Sequence, residues 1–177
     1  FTFRECYDSW VLVFRSLRAQ GVEPVFVVSD GQKGLFKTLY EVWPKIILQR
    51  CIIHVVRQAR IWLTQNPKTS AGKELLILIK VILQIRTRRQ KRRWIRCYRK
   101  WLKKYDVFLK ERSYHPVKDN CWWYTHRKLR AVRSLLTNSL EHLFIFVRYP
   151  EVPRTSNHVE GGINSRLKYL LKIHREI

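Results

Sequence analysis

The chain has 177 residues and a formal net charge of +23, from 36 Lys and Arg against 13 Asp and Glu. With 46% hydrophobic and 13% aromatic residues it can bury a core, which excludes a disordered polycation. No run of about 18 apolar residues exists to span a membrane, and four cysteines, at 6, 51, 97 and 121, are too sparse for a disulfide framework, so a reducing compartment, cytoplasm or nucleoid, is expected. The absence of methionine and a start at Phe1 within an apolar pattern are what an internal segment of a longer protein would show.

In chain order, Phe3, Tyr7, Trp10, Val11, Phe14 and Leu17 recur at steps of three and four and predict a packed helix that stops before Gly21. Residues 24–28, Pro-Val-Phe-Val-Val, form a short β-branched apolar run closed by Ser29-Asp30-Gly31 and predict a buried strand. Helical spacing returns through Leu35, Phe36, Leu39, Tyr40 and Trp43, stops at Pro44, and gives way to a second strand over 45–49. Strands alternating with helices indicate a parallel α/β layer, whose ligand groups sit beyond the carboxyl ends of the strands, where Asp30 stands.

From His54 the expectation is helices only. A segment to about Leu63 precedes a polar break at 65–72, and residues 75–85 are apolar nearly all round, with strong helix formers favouring helix over strand. Between Arg86 and Arg112 there are 13 basic residues against Asp106 and Glu111, yet Trp94, Tyr98, Trp101, Tyr105, Phe108 and Leu109 keep a helical rhythm. The pattern predicts one apolar and one cationic face. A loop at 115–120 follows, then a helix through Leu129, Val132, Leu135, Leu136, Leu140, Leu143, Phe144 and Val147 ending by Pro150, and a last helix over 157–173.

Two carboxylates stand apart from the solvated helix faces. Asp30 ends the best strand, although a turn or a helix N-cap would explain it equally; Glu160 opens the last helix, although three residues after Asn157 it would also complete a capping box. Cys51 and His54 form a Cys-x-x-His that is half of a zinc site and is read more simply as structural. The run around Arg88, Arg89, Lys91, Arg92, Arg93, Arg96, Arg99 and Lys100 is almost purely cationic, whereas solvated faces mix both signs, and such a face predicts salt-sensitive binding of nucleic-acid phosphates. Arg154, Arg166 and Lys168, flanking Glu160, are further candidates for DNA contact, and Trp122 and Trp123 receive no role.

The string VFVVSDGQKGLFKTLYEVWPKIILQRCIIHVVRQAR resembles the middle of DDE transposases of the Mutator-like insertion-sequence group, in which a strand ending Ser-Asp-Gly precedes a helix and Gln-x-Cys-x-x-His. PRTSNHVEGGINSRLKYLLKIHRE resembles that group's closing motif, and FRECYDSWVLVFRSLRAQG its preceding helix. The resemblance implies an RNase H-like fold whose acidic triad holds two Mg²⁺ (or Mn²⁺) ions, with Asp30 matching the second Asp and Glu160 the final Glu. It places Cys51 and His54 near the active site without making them a metal site. The first Asp has no match, since Asp8 lies inside a helix.

The expected fold class is therefore α/β and helix-rich, a partial RNase H-like fold of parallel strands with helices, interrupted by a large all-α insertion. Residues 1–64 are assigned to the core, 65–152 to the basic helical insertion and 153–177 to the closing core helix. The implied function is metal-dependent strand cleavage and transfer on double-stranded DNA, at element ends and target, by a homo-oligomer when complete, with the segment alone inactive. The competing readings are a non-catalytic DNA-binding remnant or domesticated protein and, more weakly, an RNA-binding protein using the aromatics at 94–105 for stacking.

Overall fold

The computed structural model describes residues 6–32, 34–118 and 120–156. They divide into two compact units, one drawn from 6–51 and 149–156 and the other being Ile52–Arg148. The predicted closing helix at 157–173, with Glu160, Arg166 and Lys168, lies outside the described residues.

The first unit runs α1 (Tyr7–Ala19), β1 (Phe26–Ser29), α2 (Leu35–Val42) and β2 (Ile47–Arg50). The strands are parallel, with Phe26 opposite Ile47 and Ser29 opposite Arg50, and α2 is the crossover. Leu35, Leu39, Val42, Trp43, Ile46 and Leu48 are buried between helix and sheet, and Trp10, Phe14 and Leu17 of α1 pack on them. Trp43 Nε1 donates to the Val22 carbonyl at 3.1 Å, tying the β1 approach to the end of α2. α1 packs as expected through Trp10, Phe14 and Leu17, while Leu12 and Val13 are exposed. One expectation needs correction. β1 is half-buried rather than buried, and among the described residues it pairs along one edge only.

The second unit packs α3 (Ile52–Leu63), α4 (Ser70–Ile82), α5 (Arg88–Lys104), the short α6 (Asp106–Lys110) and α7 (Arg127–Leu143) around one core. α3 buries Ile52, Val55, Val56, Ala59 and Leu63, the one-sided spacing of an amphipathic helix. Residues 75–85 resolve as helix: Thr69 caps α4 by accepting from Gly72 N at 3.1 Å, and Leu75, Leu76, Ile79 and Ile82 are buried. α5 opens on a capping box, in which Gln90 N donates to Thr87 Oγ1 and Thr87 N to Gln90 Oε1. Its buried face is aromatic. Trp94, Tyr98 and Trp101 stack in series, and each finds a polar partner: Trp94 Nε1 the Leu78 carbonyl, Tyr98 Oη the Arg133 carbonyl and Trp101 Nε1 the Ala71 carbonyl. These aromatics are core, which removes them as stacking platforms for RNA.

The unit is not all-helical. Residues 112–124 form an antiparallel hairpin, β3 (Arg112–Tyr114) with β4 (Trp122–Tyr124), and the expected loop is its tip. Strands of three residues are too short to show a period of two; their backbone ladder is extended by His115 N to the Cys121 carbonyl at 2.8 Å and Thr125 N to the Glu111 carbonyl at 3.0 Å, and a Ser113–Thr125 hydroxyl contact of 2.8 Å and Arg112, 3.9 Å over Trp122, add to it. α7 also ends earlier than its apolar pattern, at Leu143, and the pattern continues through a 3-10 turn at Ile145–Val147 that buries Phe146. No helix among the described residues is long and apolar enough to cross a membrane.

Candidate active site and nucleic-acid interface

A parallel pair puts the carboxyl ends of both strands on the same side, so whatever follows Ser29 and Arg50 meets there. Asp30 follows β1. Its carboxylate is exposed, and Oδ1 accepts from Gln32 N at 3.2 Å and stands 3.3 Å from Ser29 Oγ, while Gly31 N donates to Ser29 Oγ. This is a turn in which the acid braces the backbone two residues on. Asp30 is not the N-cap of α2; that position is Gly34, at φ 85°.

Arg50, register partner of Ser29, is the residue that motif reading passed over. Its guanidinium is half-buried, its Nε is buried with no hydrogen-bond partner among the described residues, and burial holds it below its ordinary pKa against the opposing pull of the Asp30 carboxylate. The available signal was its position: a cation at the end of the strand adjacent to the one that carries Asp30. Gly31 makes room for it. A Cβ there would fall 2.4 Å from Arg50 Cζ, and φ at Gly31 is +76°. Gly31→Ala is therefore expected to cost about 1–2 kcal/mol in urea unfolding, from left-handed strain, with Arg50 displaced; a loss below about 0.5 kcal/mol would mean the loop relaxes freely.

Cys51 is fully buried directly after β2, with its N donating to the Ser29 carbonyl at 2.7 Å. Its Sγ accepts from both N and Oγ of Ser156 at 3.4 Å. Cys51 thus joins the end of β1 to Ser156. His54 lies in the first turn of α3, in the other unit. No three His, Cys, Asp or Glu side chains among the described residues come together as a metal site.

In the helical unit, Arg88, Arg89, Arg92, Arg93, Arg96, Arg99 and Lys100 are exposed on the face of α5 opposite Trp94, Tyr98 and Trp101, and Lys91 sits half-buried at its margin. The ion pair that α5 makes with a described carboxylate is Lys104 with Glu74 at 2.6 Å. Arg154 belongs to the first unit. Trp122 is partly exposed on the hairpin beneath Arg112, and Trp123 is half-buried.

Comparison with known proteins adds an independent line. The model of the family described as "Transposase, Mutator family" matches residues 2–111. A probable transposase for an insertion sequence element from Corynebacterium diphtheriae is 36% identical over 70 residues, which cover 37% of this chain and 20% of that protein. The transposase for insertion sequence element IST2 of Acidithiobacillus ferrooxidans is 36% identical over 72 residues, 40% of this chain and 23% of that protein. A probable transposase for an ISRM3-like element of Sinorhizobium fredii is 22% identical over 164 residues, 90% of this chain and 34% of that protein. The matched segments are thus a fifth to a third of the length of these relatives.

Proposed function

Because this chain belongs to the Mutator family of transposases, we propose that it is the part of a DDE transposase that carries the second Asp, the basic insertion and the final Glu of an RNase H-like catalytic domain. On this reading the two parallel strands are part of a larger sheet, and Asp30 and Glu160 are two of its three metal-holding carboxylates. The observation that carries the reading is the contact of Ser156 with Cys51. After the whole helical unit the chain comes back to the strand ends beside Asp30, and Ser156 precedes Glu160 by four positions, a reach of at most about 14 Å.

An exposed carboxylate at a strand end is a hard oxygen donor of the kind Mg²⁺ or Mn²⁺ takes, which fits Asp30 to such a site. Two such ions would activate water or a 3′-hydroxyl and stabilise the leaving oxygen of an in-line displacement at phosphorus. The chain's own residues do the positioning. Ser29 and Gln32 orient the Asp30 carboxylate, Gly31 leaves space for the Arg50 guanidinium, and Arg50 supplies positive charge where a phosphate would arrive.

Duplex DNA is held, in this proposal, by the exposed cations of α5 through its phosphates, with Arg154, Arg166 and Lys168 as contacts nearer Glu160. Each phosphate contact contributes roughly 0.9 to the slope of log K against log salt. Arg92→Ala with Arg93→Ala is expected to lower that slope by about 1.8, measured by fluorescence anisotropy on a labelled duplex. An unchanged slope would remove α5 from the DNA interface.

A further inference from the structure

If Asp30 holds a divalent cation, as proposed, Arg50 stands between two ligands of opposite charge. Its guanidinium is half-buried at the end of β2 and seated over Gly31, the residue after Asp30. Nε is buried with no hydrogen-bond partner among the described residues. The Asp30 carboxylate attracts it through space, but Oδ1 of that carboxylate is engaged with Gln32 N and Ser29 Oγ. A guanidinium carries several N–H donors in a fixed fork that suits the paired oxygens of a phosphate. Arg50 thus brings to the strand ends a donor group that the described residues leave short of acceptors.

The same charge acts in opposite directions on the two ligands. A cation beside Asp30 opposes a divalent ion on that carboxylate and attracts a phosphate. A phosphate seated on the guanidinium cancels the opposition, so each ligand alters the affinity of the other, and linkage makes the two effects equal.

We propose that Arg50 contacts a DNA phosphate at the strand ends and thereby couples the two ligands, so that duplex DNA raises the affinity of Asp30 for a divalent cation and the cation raises the affinity for DNA. The inference rests on the reading of Asp30 as a metal ligand and adds to it an order of filling, DNA before metal.

The test uses the 177-residue chain, with a labelled duplex and Mn²⁺ as separate probes. Without metal, Arg50→Gln is expected to lower the slope of log K against log salt by about 0.9, the share of one phosphate contact. Without DNA, the same substitution is expected to tighten Mn²⁺ binding by about fivefold or more, read as the Mn²⁺ concentration that half-broadens the Gly31 amide resonance. Opposite signs are the signature, because damage to the fold would weaken both ligands. Arg50→Met, which keeps an apolar stem, repeats both measurements if the glutamine variant does not fold, and Asp30→Asn should abolish the Mn²⁺ broadening. If Asp30→Asn abolishes it while Arg50→Gln leaves either quantity unchanged, or weakens both, the coupling is wrong and Asp30 stands as the metal ligand. If Mn²⁺ does not broaden the Gly31 amide in an Asp30-dependent way, the reading of Asp30 falls and the coupling with it.

Discussion

Trp101→Ala is expected to destabilise the helical unit by about 3–5 kcal/mol, a large part of the total stability of a domain of this size. The ring is 3% exposed, stacks against Tyr98 and lies 5.6 Å from Tyr105. Alanine would remove the packing of a large aromatic and leave the surrounding side chains facing a void they cannot fill by local movement. It would also remove the indole N–H that the Ala71 carbonyl accepts at 3.0 Å in the buried interior near the start of α4. The same substitution at Trp122, on the hairpin under Arg112, removes a partly exposed cation–π contact and should cost about 1 kcal/mol or less. Urea unfolding followed by near-ultraviolet circular dichroism measures both. A loss below about 1.5 kcal/mol for Trp101→Ala would mean that the aromatic row is not the core of this unit.

On the proposed reading, Asp30→Asn is expected to have the second large effect, on chemistry rather than stability. The amide oxygen can still accept from Gln32 N, so the turn after β1 is retained and unfolding should change little. What is lost is the negative charge. Replacing a group that only supports a metal ligand costs about 10- to 100-fold, so replacing a ligand itself should lower Mg²⁺-dependent strand cleavage by more than about 100-fold. That measurement belongs in a transposase that carries this segment together with its partner carboxylates. On the proposed reading, in which Asp30 and Glu160 are two of three metal-holding acids, the 177-residue chain alone is expected to bind duplex DNA without cutting it. Retention of cleavage by Asp30→Asn would remove the carboxylate from the reaction.

The order helix, strand, helix, strand was legible because each element announces itself locally. Trp10, Phe14 and Leu17 mark a helical face, the run Phe26-Val27-Val28 a strand, Gly21 and Pro44 the stops. The cationic and aromatic faces of α5 were legible for the same reason, since residues three and four apart share a face whatever the helix packs against. The hairpin at 112–124 was not, because strands of three residues, paired mainly through their backbones, show no periodicity. Nor was the half-exposure of β1, which depends on what packs around a strand rather than on its own residues.

The candidate site divides along the same line. Asp30 could be singled out from its place after an apolar run, but Arg50 acquires meaning only once β1 and β2 are in register, with Ser29 opposite Arg50 and the guanidinium over Gly31. By itself the sequence determined the family, the succession of helices and strands and the sign of the charge on α5, all of which are properties of neighbours along the chain. Tertiary structure alone decided that Ser156 meets Cys51 and that Trp101 reaches the Ala71 carbonyl. Those contacts join residues far apart in sequence, and no local period encodes which distant segments pack together.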